Sequence, residues 1–179
     1  MAEAQTSRRV AYWTLFLGLC SLIMFVKLLP LRPGPGAIPG PDLLVAITFA
    51  WVIRRPDYIP VWLVAGVFLI ADLMLMRPPG LWAAIVVVAF EYLRNRSATV
   101  RDSTFWSEWL TVAIVITGMF LANALIMGLF VVNQPGFGLI LIRMILTIAM
   151  YPIVVLLAAK SLGLKRISPS EADKLGSRL

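Results

Sequence analysis

Residues Ile59–Trp82 read IPVWLVAGVFLIADLMLMRPPGLW, and this stretch decides the fold class. Its first 18 residues, Ile59–Met76, are apolar apart from the carboxylate of Asp72. As an α-helix they would be roughly 27 Å long, close to the thickness of a bilayer's hydrocarbon core. The RPPG sequence at 77–80 ends that helix, and a second apolar run begins at Leu81. The stretch therefore predicts a membrane hairpin with a tight turn and one acidic group near its rim.

The composition extends this interpretation to the whole chain. Hydrophobic residues make up 60% of the 179 residues, and the mean hydropathy of +0.90 is far above the range of soluble domains. We therefore predict a single polytopic membrane domain over residues 1–179. The net charge of +7 comes from basic residues in short clusters between apolar runs. Such clusters orient a protein in a bilayer, and they form no continuous basic face for nucleic acid.

The side chains that most enzymes need are missing. The chain has no histidine and one cysteine, Cys20. A disulfide within the chain is therefore impossible, and a metal site built from cysteine and histidine is excluded. A serine or cysteine nucleophile would lack its usual imidazole base. The sequence also contains no phosphate-binding loop and no catalytic pair of carboxylates, so we predict no enzymatic activity, no metal and no cofactor.

Six apolar segments are predicted to form a compact all-α bundle of about six transmembrane helices. They cover about residues 10–29, 38–53, 59–76, 80–93, 109–132 and 137–159, and residues 160–179 form a tail. The second segment has only 11 continuous apolar residues, Leu43–Ile53, so it spans only with loop residues or among other helices. Asp42 is predicted to cap that helix. The polar, basic stretch Asn95–Trp106 is predicted to be a loop.

Positive charges predict the orientation of the bundle. If all six segments span with both termini in the cytoplasm, twelve of the sixteen Lys and Arg residues lie inside, three lie outside, and Arg143 is within a span. The same count results if the second segment does not cross and the N-terminus lies outside. We favour six spans and cytoplasmic termini because Arg8 and Arg9 directly flank the first segment.

Two ionisable side chains are predicted at similar depth inside the membrane. Asp72 lies near the outer end of the third segment, and Arg143 lies six residues into the sixth, which begins at the outer face. Charged side chains in a bilayer are costly and usually face the protein and pair. We therefore expect Asp72 and Arg143 to face inward and to interact, directly or through water. Such a pair is either structural or a docking site for a partner or a solute.

Short motifs at the helix ends resemble the MreD family, the rod shape-determining membrane proteins of bacteria. They are PDLL at 41–44, IADL at 70–73 and PGL at 79–81, and RRPDY at 54–58 resembles the alphaproteobacterial versions. The chain departs from the family upstream of the IADL motif, where the family often has glycines and this chain has VFL at 67–69. Length, six short spans and a basic tail agree, so the resemblance covers nearly the whole chain. Its motif positions are Pro41, Asp42, Asp72, Pro79 and Gly80.

The resemblance implies a non-enzymatic scaffold of the cell-elongation complex in the bacterial inner membrane. Its implied partners are the periplasmic coiled-coil protein MreC, the actin-like MreB, and the RodA glycosyltransferase with its penicillin-binding transpeptidase. The fold of the family is similar to the six-helix substrate-binding subunit of energy-coupling-factor vitamin transporters. The implied mechanism is that the protein holds the membrane segment of MreC and so links peptidoglycan synthesis to the cytoskeleton.

A second hypothesis is a small-solute transporter or binding subunit of the energy-coupling-factor type. The short helices, the predicted inward pair of ionisable residues and the related fold favour it. An intramembrane enzyme is a distant third for want of suitable residues. The first two hypotheses differ in whether a small solute stabilises the protein.

Overall fold

The computed structural model describes residues 2–29, 39–56, 58–130 and 136–161. Within these ranges the chain is all-helical and no strand is present. This confirms the all-α fold class, and six helices lie within the described ranges. Most of the predicted tail, residues 162–179, lies outside the described residues. The six helices are α1 (Ala2–Leu28), α2 (Leu43–Arg54), α3 (Val61–Met74), α4 (Leu81–Asp102), α5 (Phe105–Leu129) and α6 (Phe137–Ser161).

Three of these helices are long and apolar enough to cross a membrane. They are α1 over Arg9–Leu28, α5 over Phe105–Leu129 and α6 over Phe137–Ala159. Helices α2 and α3 have 12 and 14 residues. At the rise of an α-helix these are about 18 and 21 Å, shorter than the hydrocarbon core. Three helices of this length and hydropathy indicate a membrane protein.

Helix α2 lies at the centre of the bundle. Ten of its 12 residues are buried, and it packs against α4 and α6. A helix that is apolar on all sides is stable where other helices surround it, which explains the position of α2. Helix α1 contacts α2 and α3 at the periphery, where the ring of Phe16 lies 5.5 Å from that of Trp51. The shortest apolar segment is thus the most enclosed.

The predicted loop at Asn95–Trp106 is wrong, because α4 continues to Asp102 and α5 begins at Phe105. No proline or glycine interrupts the sequence from Leu81 to Asp102. Arg94 bonds to Glu91 one turn earlier at 3.3 Å, which stabilises a helix. A polar sequence without a helix breaker therefore continues the helix. Helix α1 likewise begins at Ala2, ahead of the predicted start at residue 10.

The break between α3 and α4 lies at the predicted RPPG sequence. Helix α3 ends at Met74 and α4 begins at Leu81. Gly80 has a φ of 85°, in the left-handed region where a Cβ atom is strained. The backbone N–H of Arg77 donates to the carbonyl of Asp72 at 2.9 Å. This turn folds α4 back against α3.

Candidate functional site

Charged side chains gather at the end of the bundle that holds the α3–α4 turn, which we call the turn end. Helices α1 and α3 end there, and α2, α4 and α6 begin there. The positive-charge count assigns this end to the outer face in the proposed topology. Four side chains, which we call the cation cluster, meet there: Lys27, Asp42, Arg77 and Arg143.

Asp42 is the centre of the cation cluster and is 1% exposed. Lys27 Nζ donates to its Oδ1 at 3.0 Å, and Arg143 Nη2 donates to its Oδ2. Arg77 Nη2 lies 3.7 Å from the same Oδ2. One carboxylate therefore ties the end of α1, the start of α2, the α3–α4 turn and α6 together.

The predicted cap of α2 is only partly correct. Asp42 occupies the N-cap position, but its side chain makes no hydrogen bond to the N–H groups of that helix. A carboxylate forms stronger hydrogen bonds with cations than with neutral amides. The Asp42 carboxylate therefore bonds to Lys27 and Arg143 and not to the N–H groups of α2. The backbone N–H of Asp42 donates to Thr147 Oγ1 at 2.9 Å, and that hydroxyl donates to the Arg143 carbonyl at 2.7 Å. Helix α6 thus holds Asp42 through backbone and side chain.

Asp72 and Arg143 are predicted to interact directly or through water, and of these two forms the structure excludes the direct pair within the described residues. Asp72 is fully buried, and its Oδ2 accepts from the backbone N–H groups of Gly80 at 3.2 Å and Ala83 at 3.1 Å. Among the described residues no ion pair joins Asp72 to Arg143. The turn brings the N-terminus of α4 against Asp72, where unpaired N–H groups and the helix dipole favour an anion. Asp72 is therefore a cap for the next helix.

A partly open cavity of about 360 Å³ adjoins the cation cluster. It lies between the start of α4, the second half of α5 and the start of α6, and its walls are mainly apolar. The guanidinium carbon of Arg77 lies 5.7 Å from the ring centre of Trp82, and that of Arg143 lies 6.0 Å from the ring centre of Phe120. At such distances an aromatic face attracts a cation. Two arginines held against rings, together with Asn123, therefore form the polar part of the wall.

The pKa of Arg77 is shifted by the same surroundings. Burial lowers the pKa of its guanidinium, and the nearby Asp42 carboxylate opposes that shift. The guanidinium keeps its charge, since arginine is not deprotonated in proteins. The wall of the cavity is therefore positively charged at any physiological pH.

A second buried polar group joins α2, α5 and α6 away from the turn end. Arg54 Nη1 donates to Glu108 Oε1 at 3.0 Å, and the Tyr151 hydroxyl donates to the same oxygen at 2.8 Å. All three side chains are buried. Removing one partner from such a group leaves a buried charge without its counter-ion, so the group fixes how the three helices pack.

Sequence reasoning missed several of these residues. Lys27, Arg77, Glu108 and Thr147 are absent from the predicted site residues. One signal was available, because Lys27, Arg77 and Arg143 stand at similar depth in the predicted topology. Three cations at one depth in a membrane require a nearby carboxylate, and Asp42 lies as close to that depth as Asp72 does.

The chemistry of both groups is ionic and structural. Among the described residues no three His, Cys, Asp or Glu side chains are placed to hold a metal ion. What the site offers is a positively charged, largely apolar cavity next to a junction where ion pairs join four helix ends. The chain matches no family model, and no curated protein and no solved structure is significantly similar to it.

Proposed function

We propose that the protein is a non-enzymatic membrane scaffold of the MreD type. In this role it binds MreC in the bacterial inner membrane and connects MreB on one side with RodA and its transpeptidase on the other. Lateral peptidoglycan synthesis is thereby linked to the cytoskeleton, which maintains the rod shape. The resemblance of the sequence motifs is the starting point for this proposal.

One structural observation carries the proposal, namely that the motif positions belong to a single junction. Asp42 and Asp72 are both buried at the turn end. Arg77 lies against the Asp42 carboxylate and donates its backbone N–H to the Asp72 carbonyl. The N–H of Gly80 donates to the Asp72 side chain. Motifs that are distant in the sequence therefore build one rigid unit, which is what a docking platform requires.

The order of the helices supports six spans in this proposal. Helices α1, α3 and α5 end at the turn end, and α2, α4 and α6 begin there, so the chain alternates in direction. An even number of crossings leaves both termini on one side, which the positive charges assign to the cytoplasm. Short α2 is compatible with a span because neighbouring helices enclose it, as in a bundle similar to the energy-coupling-factor subunit.

The exposed apolar faces supply the surface for a partner. Large side chains on α5 and α6 are more than half exposed, among them Ile114 at 64%, Leu125 at 74% and Leu156 at 67%. A membrane segment such as that of MreC packs on such a face through van der Waals contacts. The buried ionic groups hold this face in one arrangement.

Co-purification from native membranes tests the scaffold. The tagged protein is extracted in a gentle detergent, and the proteins that accompany it are identified by mass spectrometry. We expect MreC, and loss of MreC with Asp42→Asn but not with Glu91→Gln, whose carboxylate is exposed away from the turn end. Recovery is expressed per folded protein, measured by size-exclusion chromatography. Absence of MreC from the wild-type sample contradicts the proposal.

A small-solute binding subunit is the alternative, and the cavity favours it. A volume of about 360 Å³ lies in the range of ligand pockets. A thermal-shift screen with vitamins and nucleobases separates the two functions, because only a binding subunit is stabilised by its solute. Stabilisation, together with co-purification of ATP-binding-cassette subunits, would replace the scaffold proposal.

A further inference from the structure

We propose that the cavity at the turn end binds the anionic phosphate head group of a membrane lipid. This site is independent of the scaffold proposal, since it rests on the chemistry of the cavity wall and on the apolar, membrane-spanning character of α5 and α6. The side chains that matter for the argument are Arg77, Trp82, Phe120, Asn123, Met127 and Arg143.

The wall offers hydrogen-bond donors that lack acceptors. Trp82 Nε1 and Arg143 Nε are buried, and neither finds an acceptor among the described residues. Both residues line the cavity. Both nitrogens have almost no accessible surface, so the donors that a ligand reaches are the outer N–H groups of Arg77 and Arg143, whose side chains are 21% and 26% exposed. A guanidinium carries five N–H donors, of which the Asp42 carboxylate occupies only a part. The expected ligand therefore accepts hydrogen bonds rather than donating them.

The charge of the wall selects an anion. Three cations share the carboxylate of Asp42, and the second nearby acid, Asp72, accepts hydrogen bonds from the backbone of α4. Three positive charges against two negative charges leave an excess of one positive charge at the turn end. Arg77 and Arg143 keep 21% and 26% of their side-chain surface exposed. Arginine forks bind phosphate through paired, charge-assisted hydrogen bonds. A phosphate between the two guanidinium groups would offset the excess positive charge.

The remaining wall selects a ligand with an apolar body. Phe120, Met127 and Leu139 line the cavity beside the arginines. On the same two helices Leu129 and Phe137 are 80% and 65% exposed, so apolar surface continues outside the cavity. Because α5 and α6 are predicted to span, the acyl chains of a bilayer lipid already lie along this surface. A lipid therefore matches both parts of the wall, because its phosphate meets the two arginines and its acyl chains meet the apolar side chains.

Titration of the purified full-length protein tests the site. Dihexanoyl phosphatidylglycerol, which has a net negative head group, is compared with dihexanoyl phosphatidylcholine of equal chain length. Binding is followed by native mass spectrometry and thermal stabilisation in a neutral detergent. We expect the anionic lipid to bind at least about tenfold more tightly. Equal binding of the two lipids would overturn the proposal, and so would equal stabilisation by inorganic phosphate, which would identify a site for a free anion.

Two variants and a control locate the site. Met127→Trp fills the cavity without touching a charge, and Arg77→Gln removes one guanidinium while keeping the Asp42–Arg143 bond. Both are expected to lose the preference for the anionic lipid. Leu125→Trp adds the same bulk to an exposed position on α5 and is expected to keep the preference. A preference that survives in both cavity variants would place the lipid elsewhere and refute the site.

Discussion

Asp42→Asn removes the carboxylate that three cations share at the turn end. The volume of the side chain hardly changes, so the variant tests charge rather than packing. Lys27, Arg77 and Arg143 then repel one another without a counter-ion. We expect this substitution to be among the most destabilising polar changes in the bundle.

The magnitude follows from burial. Breaking a fully buried ion pair by removing one partner costs about 3–5 kcal/mol. Asp42 is 1% exposed, but Lys27 and Arg143 are 21% and 26% exposed, so water screens part of the loss. We therefore expect the free energy of unfolding to fall by about 2–4 kcal/mol. For Asp72→Asn we expect a loss of about 1 kcal/mol, because an amide oxygen still accepts from the two backbone N–H groups of α4.

The assay is equilibrium unfolding in mixed micelles, followed by tryptophan fluorescence during titration with sodium dodecyl sulfate. A double-mutant cycle with Arg143→Gln separates the contact from other effects of each substitution. We expect a coupling energy above about 1 kcal/mol between Asp42 and Arg143, and less than about 0.5 kcal/mol between Asp72 and Arg143.

Two results would refute this reasoning. One is that Asp42→Asn lowers the free energy of unfolding no more than Asp72→Asn does. The other is a larger coupling of Arg143 to Asp72 than to Asp42, which would restore the pairing expected from the sequence.

Three further substitutions or probes test other parts of the structure. Tyr151→Phe removes a hydrogen bond to a buried carboxylate and should lower the free energy of unfolding by about 1.5–3 kcal/mol. Tyr92→Phe, at an exposed position, should change that free energy by less than about 0.5 kcal/mol. Equal effects of the two substitutions would contradict the buried network. Gly80→Ala places a Cβ atom on a residue in the left-handed backbone region and should lower the free energy of unfolding by about 1–2 kcal/mol. Gly66→Ala, within α3, should leave that free energy unchanged or raise it. An unchanged stability of Gly80→Ala would contradict this turn. Cys20 is fully buried. Its thiol should react with maleimide at least about tenfold more slowly in the folded protein than in sodium dodecyl sulfate. Equally rapid labelling of the folded protein would contradict the packing of α1.

Most of the fold could be predicted from local patterns. Apolar runs and the proline and glycine residues between them identify six helices and the turn at 77–80. The loop predicted at Asn95–Trp106 is wrong because a polar sequence is not by itself evidence for a loop. The helix continues there because no proline or glycine interrupts it before Asp102 and because Ser97 and Val100 are buried against other helices, and hydropathy reports neither property.

The charged site could be predicted only in outline. Depth along a helix is readable from a sequence, so Arg143 was expected near the outer end and inside the protein. The direction in which a helix presents each residue is not readable when the helix is apolar on all sides, because no stripe marks its inner face. Two acids at similar depth were therefore indistinguishable as partners of Arg143.

By itself the sequence determined that this is an all-α membrane protein, that the chain turns at 77–80, and that histidine-dependent chemistry is excluded. These properties follow from composition and from breakers that act within a few residues. Tertiary structure alone decided that α2 is the core, that Arg143 bonds to Asp42 across 101 positions, and that Asp72 caps α4. The physical reason is that ion pairing depends on distances of a few ångströms between side chains, and only the packing of the helices sets those distances.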